Sequence, residues 1–161
     1  MKQVCNDPVL YSKIIPNILP KNFKEDIIYL WNKYKPYEKY TLEYNQELLD
    51  KEKRLNPLYD IFIENVKDIF DLDKRIIIEK RKYWLYVTND KWHSTHWHNH
   101  KSTASIVGVY YVQVDTPIEF ENTTYQPQNN ELLIFDGKLN HKPIPSLNTR
   151  ISINLEVNHN K

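Results

Sequence analysis

The period of the hydrophobic pattern changes once along this chain, near Arg75, and that change limits the folds open to it. Before it, apolar residues recur at helical spacing. Phe23, Ile27, Leu30, Trp31 and Tyr34 share one face of a segment that follows Pro20-Lys21-Asn22 and ends before Pro36. Leu55, Leu58, Ile61, Phe62, Val66, Ile69 and Phe70 predict a second helix. After Arg75 the apolar runs are short and alternating, as in half-buried strands. They place strands at 75–80, 82–88, 96–100, 105–114, 118–121, 131–135, 142–144 and 149–157. Turn residues separate several of them: Thr88-Asn89-Asp90, Asp115-Thr116-Pro117, Asn122 with 126–130, and 145–148. Helices first and then many short strands predict an α+β fold, a β-sandwich or jelly roll with N-terminal helices bracing one sheet. The 161 residues suit a single domain, with 1–74 mainly helical and 75–158 forming the β core. The first ten or so residues and His159-Asn160-Lys161 read as loose, and 49–54 as a solvated helix face.

Charge and cysteine usage narrow the function classes. Lys and Arg number 22 against 21 Asp and Glu, a net charge of +1, so there is no electrostatic case for a nucleic-acid partner. No apolar run is long enough to span a membrane, and Met1-Lys2-Gln3-Val4-Cys5 lacks the apolar core of a signal peptide. A single cysteine, Cys5, rules out an internal disulfide and suits a reducing compartment. The expectation is a cytoplasmic protein without a membrane partner.

The residues that carry chemistry fall in the strand-rich part. His93, His96, His98 and His100 are interleaved with Trp92, Trp97 and Asn99. In a strand, residues two apart share a face, so His96, His98 and His100 can aim together, and His141 can join them from a later strand. Three such ligands leave positions open on a metal, as a non-haem iron oxygenase needs, although imidazole also suits Zn, Cu or Ni. Spacing alone leaves open whether 96 and 98, or 98 and 100, complete the set. On the last strand Ile151, Ile153, Leu155 and Val157 form a packing face, with Arg150, Ser152, Asn154 and Glu156 opposite. Solvent exposure suits Glu156 more easily than Arg150. A guanidinium fork matches a carboxylate, and a hydroxyl two residues on can add a hydrogen bond. A zinc hydrolase has no use for that pair. An iron enzyme that chelates a 2-oxo acid through its keto oxygen and one carboxylate needs a cation for the other carboxylate.

The ordered pieces are Trp84 and Tyr86, then His98-Asn99-His100, Val107-Gly108-Val109-Tyr110-Tyr111-Val112 and Ile118-Glu119-Phe120. Pro127 leads into Glu131-Leu132-Leu133-Ile134-Phe135-Asp136-Gly137, followed by His141 with Pro143 and by Arg150-Ile151-Ser152-Ile153-Asn154. In order and spacing this set, from Tyr83 to Asn158, resembles the 2-oxoglutarate/Fe(II)-dependent dioxygenases. It is most similar to a small group whose first motif is His-x-His instead of His-x-Asp. The resemblance implies a double-stranded β-helix with Fe(II) at its open end and 2-oxoglutarate as co-substrate. His98, His100 and His141 then become the iron ligands. Arg150 and Ser152 take the far carboxylate of 2-oxoglutarate, with a phenol from Tyr86 or Tyr110. The implied reaction consumes O2, releases succinate and CO2, and hydroxylates an unactivated C–H of a peptide side chain or small metabolite. No catalytic residue is expected beyond the metal centre, and Trp92 and Trp97, flanking the motif, are candidates for the substrate pocket. Two other functions would use the same histidines: a cupin-like, non-catalytic metal-binding module, and a three-histidine iron dioxygenase that needs no oxo acid.

One departure from the commoner pattern has electrostatic consequences. No Asp or Glu occurs between Lys91 and Val114, so the usual carboxylate ligand is missing. Three neutral imidazoles leave the full charge of the dication in place, which attracts the dianionic co-substrate but holds the metal less firmly. Imidazoles must also be unprotonated to bind metal, so activity is expected to fall as pH drops towards about 6.

Overall fold

A computed structural model describes residues 1–34, 55–70, 81–88, 96–146 and 148–158. The strand expected at 75–80, the solvated face at 49–54, Trp92 and the last three residues lie outside them. In chain order the elements are β1 (Lys2–Asn6), β2 (Val9–Ile14), α1 (Phe23–Tyr34), α2 (Asn56–Phe70), β3 (Lys82–Thr88), β4 (Ile106–Gln113), β5 (Ile118–Phe120), β6 (Thr123–Tyr125), β7 (Glu131–Asp136), β8 (His141–Pro143) and β9 (Arg150–Val157). Six strands form one sheet in the order β1-β2-β7-β4-β9-β3, and β6-β5-β8 form a second. The observed pairings are antiparallel, and the two sheets with their helices make a jelly-roll-like β-sandwich.

The two segments of helical period form α1 and α2, and most of the segments of strand period form the two sheets. In α1, Asn22 adopts a positive φ of 67° and its carbonyl accepts from Asp26 N at 2.9 Å, starting the helix. In α2, Pro57 sits in the first turn, where its missing N–H is harmless. Phe23, Ile27 and Trp31 of α1 and Leu58, Tyr59, Phe62, Ile63 and Val66 of α2 pack on the outer face of the large sheet. There they meet Leu85, Ile106, Tyr110, Leu132, Ile134, Ile151, Ile153, Leu155 and Val157. Each such side chain contributes about 1.5–3 kcal/mol by leaving water. Gly108 in β4 leaves room for the Phe62 ring, since a Cβ there would lie 2.8 Å from it.

Alternation sends the other set of side chains between the sheets. Val107, Val109 and Tyr111 of β4 and Leu133 and Phe135 of β7 pack there with Leu10, Ala104, Ile118 and Phe120. Register places Tyr111 beside Ser152, Val109 beside Asn154 and Val107 beside Glu156. The polar face of β9 therefore points into the sandwich, and all eight of its residues are buried. The solvated reading of Glu156 is overturned, since it is 1 % exposed.

Two expectations about the chain's outline also change. The first residues are not loose: β1 and β2 extend the large sheet, with Ser12 paired to Leu133 and Ile14 to Glu131 of β7. The strand expected at 96–100 is reduced to one bridge, His98 to His141, before a turn at Lys101–Thr103. Among the described residues no helix is long and apolar enough to cross a membrane, and Cys5 is unpaired.

Candidate metal centre

Local folding brings His98, His100 and His141 to one point. His98 and His141 exchange backbone hydrogen bonds of 3.0 and 2.9 Å. The chain then turns so that His100 N donates to Gly137 O at 2.8 Å, while His100 O accepts from Thr103 N and Ala104 N, each at 2.8 Å. Gly137 makes this approach feasible, because a Cβ there would lie 2.2 Å from Ala104 O. Asn99 Nδ2 donates to Asn140 Oδ1 at 2.7 Å, tying the two histidine segments side by side. One ring nitrogen from each histidine lies within 4.8 Å of those of the other two, a spacing that can hold a metal ion. His96 is exposed, its ring centroid 6.2 Å from that of His98, and it stands outside this group.

Each ring is oriented through Nδ1. That atom of His98 lies 3.2 Å from His96 O and that of His141 lies 2.9 Å from Leu139 O. In His100 it lies 2.6 Å from Glu156 Oε1. A carbonyl or carboxylate oxygen only accepts, so each Nδ1 carries the hydrogen and each Nε2 keeps its lone pair for a cation. His100 Nε2 is buried without a protein partner. Burial, then the neighbouring His98, His100 and Arg150, push His141 from 6.5 down to about 3, against a raising hydrogen bond to Leu139 O. Burial likewise lowers His98. Neutral imidazoles are the form a metal requires.

Beside them lies Arg150, 7 % exposed. Its Nη1 donates to Ser152 Oγ at 3.2 Å, and its guanidinium stands 5.5 Å from the centroid of the Tyr111 ring. Among the described residues no carboxylate lies within ion-pair distance of it. Burial lowers its pKa, yet a guanidinium keeps its charge. Arg150 Nε and Tyr111 OH are both buried; Nε has no hydrogen-bond partner, and the phenol interacts with the guanidinium. A buried cation with an unpaired donor of its own and a phenol against it fits the carboxylate end of an organic acid, just as three clustered imidazoles held through Nδ1 fit a metal.

The tyrosine beside the arginine is Tyr111, not Tyr110. Tyr110 points to the helical side, where its OH donates to Ile15 O at 2.8 Å. Tyr86 pairs in register with Ser152 and so shares the site face, with its OH accepting from Trp84 Nε1 at 2.9 Å. Trp97 is 46 % exposed, and Lys142 Nζ lies 5.0 Å over its ring. Sequence reasoning did not find Tyr111, Glu156 or Glu131. Glu131 is buried and accepts from Ser12 Oγ, Tyr125 OH and Gln128 N, clamping β2 and the 125–128 segment to the start of β7. Alternation carried a signal for all three, since each shares its strand's inward face with apolar or site residues.

No protein-family model matches the chain, and no curated protein matches it. Solved structures do. A prolyl 4-hydroxylase from Pseudomonas putida superposes with a TM-score of 0.65 at 8% identity, over 94% of this chain and 88% of that one. One from Phytophthora capsici gives 0.64 at 11% identity, over 84% and 53%. The viral collagen prolyl hydroxylase of Paramecium Bursaria Chlorella virus-1 gives 0.50 at 12%, over 100% and 95%. The chain thus spans about half the length of the Phytophthora enzyme. Identities this low carry the fold and not the activity. In fold, this chain is similar to the prolyl 4-hydroxylases.

Proposed function

We propose that this protein is an Fe(II)- and 2-oxoglutarate-dependent oxygenase built on a double-stranded β-helix, which hydroxylates a peptide side chain or small metabolite. The observation that carries the proposal is the juxtaposition of three imidazoles, each with Nδ1 tied back, and a buried arginine without a carboxylate partner. In this reading His98, His100 and His141 hold the metal through Nε2. Arg150, Ser152 and Tyr111 hold the far carboxylate of 2-oxoglutarate, and Tyr86 lines the same face. Bound Fe(II) with 2-oxoglutarate supplies the O2 activation and C–H oxidation, with release of succinate and CO2. The chain's own residues orient and exclude water. Hydrogen bonds to His96 O, Leu139 O and Glu156 set the three rings, and Val109, Phe120, Leu133 and Phe135 keep the interior between the sheets dry. Trp97, half-exposed next to His98, is the aromatic surface we assign to substrate. A metal-binding module, or an iron enzyme that uses no oxo acid, would leave Arg150 buried without an anion.

The test is anaerobic addition of Fe(II) and 2-oxoglutarate to metal-free protein, followed by visible spectroscopy. A charge-transfer band of chelated oxo acid is expected, and it should vanish in both His141→Ala and Arg150→Leu. The Arg150→Leu protein should still bind metal and be as stable as the parent or more so, because an unpaired buried cation has been replaced by an apolar side chain. Iron binding without the band in the parent protein would remove 2-oxoglutarate from the reading.

A further inference from the structure

The carboxylate missing from the ligand set is present one bond further out. Glu156 comes from β9, across the sandwich from the His98-Asn99-His100 segment, and is 1 % exposed. Its Oε1 accepts from His100 Nδ1 at 2.6 Å and also from Thr103 Oγ1 at 3.3 Å. His98 and His141 have only neutral carbonyl oxygens in the equivalent place. Among the described residues Glu156 is the only carboxylate hydrogen-bonded to a ring of the site, and no Lys or Arg lies within ion-pair distance of it. A carboxylate this deeply buried needs a compensating positive charge.

We infer that Glu156 is a positioning residue that supplies the site's negative charge through His100. This rests on the reading of the three histidines as metal ligands. A dication on three neutral imidazoles with one buried carboxylate behind them carries a net +1. That is the balance a carboxylate in the ligand set would give. By accepting from Nδ1–H, the carboxylate pushes electron density onto Nε2 and makes His100 the strongest donor of the three. The sequence position of His100 is where the commoner motif has its Asp, so the charge has moved outward by one imidazole. Such a charge behind His100 offsets the weaker metal hold expected from three neutral ligands.

Glu156→Gln tests this, because the amide keeps an acceptor and the shape but loses the charge. Co(II) affinity should fall about 10–100-fold relative to the parent protein. In the Co(II)-loaded forms, 2-oxoglutarate should bind the variant more tightly than the parent, since the site's net charge rises from +1 to +2. A residue that merely orients His100 would leave both affinities unchanged in the variant, and that result overturns the inference while leaving the metal reading in place. Loss of both affinities together would also overturn it. If the parent protein takes up no Co(II), the metal reading falls and this inference with it. Proton NMR of the Zn(II)-loaded parent protein gives a measurement independent of how the variant folds. The Nδ1–H of His100 should resonate further downfield than those of His98 and His141, and equal shifts for all three overturn the inference.

Discussion

His98 and His141 face each other across two backbone hydrogen bonds, 3.0 Å from His98 N to His141 O and 2.9 Å in return, although His98 belongs to no strand. The bridge sets their ring centroids 4.4 Å apart without help from either side chain. Removing a ring therefore leaves the bridge, and the fold with it, in place. His98→Ala and His141→Ala should each unfold cooperatively yet lose divalent-metal binding in an equilibrium titration. His96→Ala should bind as the parent protein does, because that ring stands outside the cluster. Undiminished binding in His141→Ala would contradict the assignment.

The adjacent tyrosines should behave oppositely. Tyr111 OH is buried with only the Arg150 guanidinium against it, so Tyr111→Phe leaves stability nearly unchanged while weakening 2-oxoglutarate binding. Tyr110 OH donates to Ile15 O at 2.8 Å, so Tyr110→Phe leaves that carbonyl unsatisfied and costs about 1–3 kcal/mol without changing co-substrate affinity. Urea unfolding and calorimetric titration of the metal-loaded proteins measure the two effects separately. Equal losses in both variants would place neither phenol at the co-substrate.

Acid should destabilise the metal-free protein through its own ligands. Burial above all holds His141 down to about 3 from 6.5, and it also lowers His98. As pH falls below 6.5 the unfolded chain takes up a proton at His141, and the folded chain does so only at far lower pH. For His141 this stabilisation is complete above 6.5 and is lost progressively as pH falls towards about 3. The slope for His141 is about 1.4 kcal/mol per pH unit between those values. The urea midpoint should be lower at pH 5.5 than at 7.5, and the difference smaller in His141→Asn. An identical pH dependence in the two proteins would sink the argument. In the folded protein burial favours the neutral form of both imidazoles, most strongly at His141.

Gly137 is the tightest backbone approach at the site. A Cβ would lie 2.2 Å from Ala104 O, and the backbone cannot swing aside as a side-chain tip can. Gly137→Ala should cost about 1–3 kcal/mol in chemical unfolding. Because Gly137 O also accepts from His100 N at 2.8 Å, the variant should lose metal affinity as well. Parental stability and affinity together would show that the turn relaxes at no cost.

The sequence by itself determined the helices, most of the strands and the residues whose chemistry marks a candidate site. The change of period near Arg75 separated α1 and α2 from the strand-rich part. The alternation in Arg150–Val157 separated the face that meets the helices from the face that meets the site. Both are local properties, carried by residues two to four apart. His98, His100, His141, Arg150 and Ser152 were legible for the same reason: their chemistry is unusual and their order sits on that alternation. Only the tertiary structure decided which tyrosine stands beside Arg150, because a β-strand throws Tyr110 and Tyr111 to opposite sides and both sides are buried. It also drew β1 and β2 into the large sheet through pairing with β7, a contact between distant segments that no local pattern records. And it placed the Glu156 carboxylate behind His100, across the sandwich. A charged residue on an alternating strand looks the same in sequence whether it faces water or a second sheet. What covers that face is settled by how the chain closes on itself.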